Sequence, residues 1–404
     1  MTDFTKLLSL ILEKKPTRLI VNPSNESLVA SFDIAKKIQL YDYKKIITFK
    51  EKVINELENF PISFGSFCFD IQNKKKSEEW KNFPLIEFIF PDYAIKFENN
   101  KFISFGENIE LDLYFKKNIQ EEQEEQEEPK LNKIQKKIVF NSKLDDWMNL
   151  VEKAKENIST SNLEKIVVAD IKRTKLKNLN INKTILEIIH KYPNCITYMI
   201  NEKNNIFFGT TPEKIFEYKN KILSTEALAG SIPNKGEKFI EIQKKFKNST
   251  LKEEHEIVVK YIETQLSKIT KNKISISSYE IKKLNNIYHL QSEIKTKINE
   301  NDFFKFINLL HPSPALAGFP VNEAINWIRK NEKFDRGLYS GSIGYIEKNN
   351  SSFYAALRCA KYSINEKEII SFAGNGIVKD SKIKYELEEL NSKFEAINES
   401  LIEN

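Results

Sequence analysis

Glycine, histidine, cysteine and methionine are scarce in this chain: 11 Gly, 4 His, 3 Cys and 3 Met among 404 residues. Each scarcity excludes something. Cys68, Cys195 and Cys359 are odd in number, far apart and form no CxxC pair, so neither a disulfide framework nor a zinc site is indicated. No HExxH or paired-histidine spacing occurs, which argues against a histidine-bound zinc. A glycine-rich strand-to-helix turn of the dinucleotide type is absent as well. No apolar run reaches the about 18 residues of a membrane span, and the short LLSLIL patch is followed rather than preceded by Lys14, Lys15 and Arg18, unlike a secretory signal. Charge is nearly balanced, with 63 basic and 57 acidic residues and no basic arm, so nucleic acid is a poor partner. The expectation is a soluble, cytoplasmic protein without nucleic-acid or membrane partners.

What is present is a mixture of strand-like and helical patterns. Short apolar runs (LIVN, IITF, FGSFCF, IEFIF) with turn signals fill the first hundred residues and read as strands with a few helices. EEQEEQEEPK then places six glutamates in eight positions, a composition that stays solvated, and reads as a loop over 120–130. After it, KIVVAD, NIFFGT and SFYAALRCAKYSI read as strands, and 250–269 and 321–332 as helices. Intermixed elements without a dinucleotide turn favour a large α/β (α+β) domain over a Rossmann fold.

Several polar residues sit where apolar ones are expected. Glu254 lies one turn before the apolar stripe Val258, Tyr261, Ile262, Leu266 and Ile269, as a metal ligand or simply as a dipole-favoured first-turn acid. Glu386, Glu389 and Lys393 share a helical face, which can hold a cation or be a solvated salt-bridged surface. Arg358 shares a strand face with Ala356 and Ala360, leaving room for a flat anion or for a structural ion pair. Gly374 and Gly376 of AGNGIV either present backbone N–H groups to an anion or make a turn. Glu226, among the small residues of TEALAG, should be desolvated and raised in pKa, as suits a general acid. Lys165 opens an apolar strand, where an exposed strand-end lysine is the plain alternative.

The order and wording of these segments resemble the chorismate-utilising enzymes, a family that includes isochorismate synthase, salicylate synthase, anthranilate synthase component I and aminodeoxychorismate synthase. The resemblance covers about residues 135–397, through KIVVAD, FFGTTPEKIFE, TEALAGSIP, KEEHEIVV, YHLQSEI, LHPSPALAGFP, FDRGLYSGSIGYI, ALRCAK, AGNGIV and ELEELNSK. It implies a single large fold, an antiparallel β-sandwich with helices packed outside and the active site in a central cleft. Residues 1–119 would be a weakly matched part of that sandwich, and 131–404 the chorismate-binding catalytic region. The wording is nearest to the isochorismate synthases, which implies an isomerase that uses Mg2+ to convert chorismate to isochorismate, for menaquinone or siderophore biosynthesis.

The resemblance also implies roles. Glu254 and Glu389 match the magnesium ligands, with Glu386 beside them. Lys165 matches the general base that activates water for attack at ring carbon 2, and Glu226 the acid that protonates the hydroxyl leaving carbon 4. Such a lysine, near pKa about 10.4 in solution, would have to fall by roughly 3 units, about 4 kcal/mol. The ring carboxylate would meet the cation, Gly374 and Gly376, and the pyruvyl carboxylate Arg358 with Tyr339 nearby. Gly230, Ser231, His289, Ala315 and Lys393 match further substrate-side positions. Ala229 stands where relatives with a covalent lysine carry it, so water or ammonia must attack, and no glutaminase motif is present to supply ammonia. A monomer without a glutaminase subunit is expected. A salicylate synthase, or a chorismate-binding homologue without activity, remains the alternative. Asp170, Ser231 and Asn375 depart from the family's usual arginine, threonine and alanine.

Overall fold

The computed structural model describes residues 3–73, 77–81, 83–120, 144–234, 236–247, 249–284 and 287–403. The acidic 120–130 segment, expected as a solvated loop, lies outside the described residues except for Gln120, the end of helix Ile109–Gln120. Among the described residues the strands form two antiparallel sheets of ten strands each. One sheet runs from Gly318–Phe319 through Lys165–Lys175, Glu368–Val378 and Cys359–Ser363 to Arg18–Asn22 and Lys101–Gly106. The other runs from Ser275–Ile276 through Ile287–Lys297, Ile222–Pro233 and Lys214–Lys219 to Ile62–Phe67 and Ile34–Leu40. The N-terminal strands join both: Arg18–Asn22 pairs with Ile196–Glu202, and Ile62–Phe67 with Ser342–Glu347.

Alternation along the strands sorts side chains into layers. Ile20 and Val29 point between the sheets with Phe64, Ile89, Tyr198 and Phe207. Their neighbours Leu19, Val21, Leu28 and Ala30 point outward against helix Asp3–Glu13 and helix Ile181–Lys191. Helices Ser249–Ser267 and Phe303–Leu310 cover the far side of the second sheet through Val258, Ile262 and Phe306, while helix Leu144–Thr160, with Trp147 on its buried side, packs on strands Lys165–Lys175 and Glu368–Val378 of the first sheet. Covered on both faces, strands such as Ile62–Phe67 and Ile86–Pro91 are buried at every position. No described helix is long and apolar enough to cross a membrane.

The expected helices are present as Ser249–Ser267 and Val321–Asn331. The expected strand over 353–364 is not continuous. It breaks into Asn350–Ala355 and Cys359–Ser363, because Arg358 adopts a left-handed backbone with φ of +41°. Arg358 therefore shares no strand face with Ala356 and Ala360; the kink gives it its direction instead.

Candidate active site

A cavity of about 890 Å³ opens where the two sheets and the C-terminal helix Ile383–Asn398 meet. Its walls bring together Lys165, Ser231, Glu254, His289, Ala315, Tyr339, Arg358, Gly374, Gly376, Glu386, Glu389 and Lys393, positions scattered over more than half of the chain. Gly230 sits at the rim on strand Ile222–Pro233, with φ of +70° at a register shift between Ala229 and Ser231. A Cβ there would meet the Leu251 carbonyl oxygen at 2.8 Å. The bulge turns the strand and carries Ser231 opposite His289 of strand Ile287–Lys297.

Lys165 begins strand Lys165–Lys175 and is 2 % exposed, so it is no surface strand-end lysine. Its Nζ donates to Glu254 Oε1 at 2.5 Å. Gly376, on the adjacent strand Glu368–Val378, lies beneath it: a Cβ there would come within 2.4 Å of Lys165 Cε. AGNGIV is thus a strand rather than a turn, and its glycines make room for this lysine and for the Tyr339 hydroxyl above Gly374. Tyr339 stacks on Phe372 at 5.5 Å, which fixes its ring against the wall.

The carboxylates of Glu254, Glu386 and Glu389 all line the same cavity. Glu254 is in the second turn of its helix, which begins at Ser249, so the first-turn dipole reading does not apply. Glu386 and Glu389 share a face of the C-terminal helix, and Glu386 is pushed up to about 7 by burial, then by the charges of Glu389 and Glu254. Among the described residues no three His, Cys, Asp or Glu side chains already form a closed ligand set. Each carboxylate is instead engaged by the protein: Glu254 by Lys165, Glu389 by Lys393 at 2.7 Å, and Glu386 by Asn375 at 3.2 Å. All-oxygen donors that repel one another suit a hard divalent cation.

Arg358 is 6 % exposed, its Nη1 has no hydrogen-bond partner, and no described carboxylate pairs with it. The structural ion pair offered as its alternative reading is therefore absent among the described residues, and the open nitrogen is a place for an anion. His289 accepts from or donates to Ser231 Oγ at 3.0 Å through Nδ1. Burial, reinforced by Arg358, Lys393 and Lys282, holds its pKa well below 6.5, so it is neutral.

Glu226 stands apart from the others. It lies on strand Ile222–Pro233 but not on the cavity wall. The setting expected to be apolar is polar: its carboxylate accepts from the Gln291 amide and from the Lys214 N–H at 2.7 Å, with Lys282 at 3.9 Å. Strand pairing explains this, since the 222–233 and 214–219 strands and Gln291 converge there.

Glu213 was not singled out in the sequence. It lies on the wall of the same cavity, in TTPEKIF, 8 % exposed, and its carboxyl is pushed up to about 8, by burial first and by Glu226 second. The visible signal was a glutamate between two apolar strands, Asn205–Thr211 and Lys214–Lys219, where a solvated turn would ordinarily be polar throughout. Also unassigned was Arg336 of FDRG. Fully buried, it pairs with Glu332 and donates to the Leu316 and Val167 carbonyl oxygens, tying two cavity-wall segments together.

Comparison with known proteins agrees with this architecture. The family described as "Chorismate binding enzyme" matches residues 7–402. Isochorismate synthase MenF of Escherichia coli (strain K12) is 30 % identical over 258 residues, 61 % of this chain and 58 % of that protein. Isochorismate synthase 2, chloroplastic, of Arabidopsis thaliana is 34 % identical over 199 residues, 48 % of this chain. The chain thus spans less than two thirds of those relatives, 58 % and 35 % of their lengths. MenF of Bacillus subtilis (strain 168) is 25 % identical over 358 residues, 84 % of this chain and 74 % of that protein. The solved E. coli MenF superposes with a TM-score of 0.77 at 22 % identity, covering 97 % of this chain and 90 % of that one. Anthranilate synthase component I of Streptococcus pneumoniae TIGR4 gives 0.76 at 17 %, covering 93 % and 92 %. With a family match over nearly its full length and the same two-sheet fold, this chain belongs to the chorismate-binding enzymes.

Proposed function

We propose that the chain is an isochorismate synthase, acting on chorismate with Mg2+. The observation that carries the reading is that Lys165 and Glu213, a carboxyl that burial pushes up to about 8, face one cavity that also holds an unpartnered arginine nitrogen and the carboxylates of Glu254, Glu386 and Glu389. A base and an acid together are what exchange of one hydroxyl for another requires; binding alone needs neither.

Glu213 replaces Glu226 as the acid in this reading, because Glu226 is off the wall and saturated by donors. Water at ring carbon 2 gives its proton to Lys165 as the new C–O bond forms. The two conjugated ring double bonds shift in turn, C1=C2 to C1=C6 and C5=C6 to C4=C5, and the carbon 4 C–O bond breaks as Glu213 protonates the departing hydroxyl, which leaves as water. The protons then re-equilibrate through solvent. Lys165 can act only once Glu254 releases its amine, since that carboxylate holds it now. Arg358 binds the pyruvyl carboxylate. Glu254, Glu386 and Glu389 would hold Mg2+, which when bound neutralises the ring carboxylate and fixes it against the Gly374–Gly376 strand. Ala229 on the wall offers no amine nucleophile, in keeping with water as the attacking group.

Incubation of the purified protein with chorismate and Mg2+, without ammonia, should yield isochorismate alone by chromatography. Salicylate with pyruvate would point to the salicylate synthase alternative, and a product that appears only with ammonia would defeat the reading. Menaquinone biosynthesis is the proposed destination of the product, supported by likeness to the menaquinone-specific E. coli synthase.

A further inference from the structure

We infer that Asn375 is a positioning residue that presets Glu386 for the divalent cation, an inference that rests on the proposed use of Mg2+. Where the family's usual text has alanine, this chain has a side chain that is 0 % exposed and uses both ends of its amide. The neighbours Gly374 and Gly376 line the cavity, while Asn375 reaches the C-terminal helix. Its Oδ1 accepts from Lys393 Nζ at 3.2 Å. Its Nδ2 donates to the Glu386 backbone oxygen at 2.5 Å and to Glu386 Oε2 at 3.2 Å.

The orientation of the amide is forced. An ammonium can only donate, and a carbonyl and an ionised carboxylate can only accept, so a flipped amide would lose all three contacts. Lys393 is likewise committed: its three N–H groups face the Gly374 oxygen at 2.8 Å, Asn375 Oδ1, and Glu389 Oε1 at 2.7 Å. One buried amide therefore links the carboxylate of Glu386 to the lysine that holds Glu389. An alanine can make none of these bonds, which would leave Glu386 with the Ser381 hydroxyl but without the amide that ties it to Lys393. Partners that orient a ligand without touching the metal change its affinity by about 10- to 100-fold.

The test is calorimetric titration of Mg2+ alone into the wild-type protein, Asn375→Ala, Glu386→Gln and the double variant. Asn375→Ala should weaken Mg2+ binding about tenfold, and should add nothing when Glu386 is already glutamine, because its effect passes through that carboxylate. Equal affinity of Asn375→Ala and wild type would overturn the inference, whatever happens to the melting temperature. So would the same tenfold loss in the Glu386→Gln background. Should the alanine variant fail to fold, Asn375→Ser, too short to span both partners, carries the same expectations. Failure of wild type to bind Mg2+ overturns both this inference and the metal in the proposed function. A product needing ammonia sinks the isochorismate reading alone and leaves the Mg2+ comparison intact.

Discussion

Arg18 and Arg358 are both buried, and they mark two regions that use burial differently. Arg18, at 4 % exposure, is met by the carboxylates of Glu87 and Glu202, with Glu202 at 2.6 Å. Arg358, at 6 %, keeps an unpaired nitrogen in the cavity. The first belongs to the N-terminal strands, which supply 7 of the 20 described strands but no described residue of the main cavity wall. The second belongs to the stretch from Lys165 to Lys393, which supplies every described wall residue. A fully satisfied charge builds a scaffold, whereas an unsatisfied one waits for a ligand.

The sharpest break between the regions is kinetic. Lys165→Met should lower kcat for chorismate by about 10³- to 10⁴-fold, and Glu213→Gln by about 10²- to 10⁴-fold, the range for a lost base or acid. Glu226→Gln should cost less than about tenfold, since it leaves the wall intact. A steady-state assay of the three variants decides: comparable losses for Glu226→Gln and Glu213→Gln would return the acid role to Glu226.

The opposite pattern is expected of Phe88, at 0 % exposure in the N-terminal strand Ile86–Pro91, with ring centroids 5.7 Å from Phe67, Phe303 and Phe304. Phe88→Ala should cost about 3–5 kcal/mol of stability in urea unfolding. The molecules that remain folded should keep their kcat. A large loss of turnover at full folding would mean that the N-terminal strands do more than support the cavity.

The same division explains what the amino-acid sequence disclosed. Wall residues such as Lys165, Glu254 and Glu389 were visible because polar groups in apolar patterns are conspicuous, and their wording resembles a family. The two-sheet fold followed from that likeness, not from periodicity. Strands such as Ile62–Phe67, buried at every position by a sheet on one side and helices on the other, show no alternation to read. The burial of Glu213 was not legible because its segment looks like a turn, and the polar setting of Glu226 was not legible because its neighbours in sequence are apolar while Gln291 and Lys214 reach it from other strands. The direction of Arg358 depends on a single positive φ, which nothing in ALRCAK announces.

Exchanging the arginines' roles gives a smaller effect. Arg358→Leu should raise the KM for chorismate by about 10- to 100-fold, the 1.5–3 kcal/mol of a charge-assisted hydrogen bond, with stability unchanged or improved. Arg18→Leu should leave KM alone but destabilise the fold, because Glu87 is left buried without its guanidinium partner. Michaelis constants and urea midpoints for the pair test this; a KM change in Arg18→Leu would dissolve the contrast.

The mildest effect is on pH. Glu213 binds its proton up to about 8 in the folded protein, against 4.5 when unperturbed, chiefly because it is buried. If it is the acid, kcat should fall by about tenfold per pH unit above that value, the need for an unprotonated Lys165 setting the opposite, acidic limb of the profile. Stability follows the same group with a definite sign. Below about 4.5 both folded and unfolded chains carry the proton, so its contribution is fully present. Between there and about 8 the unfolded chain releases the proton first, and the contribution is lost as pH rises. Glu213→Gln, which has no proton to lose, should therefore gain in melting temperature over the wild type as pH rises from 5 to 8. A gap that stays constant across this range would show that Glu213 is already ionised in the folded protein, and would remove it from the acid role whatever the rate profile.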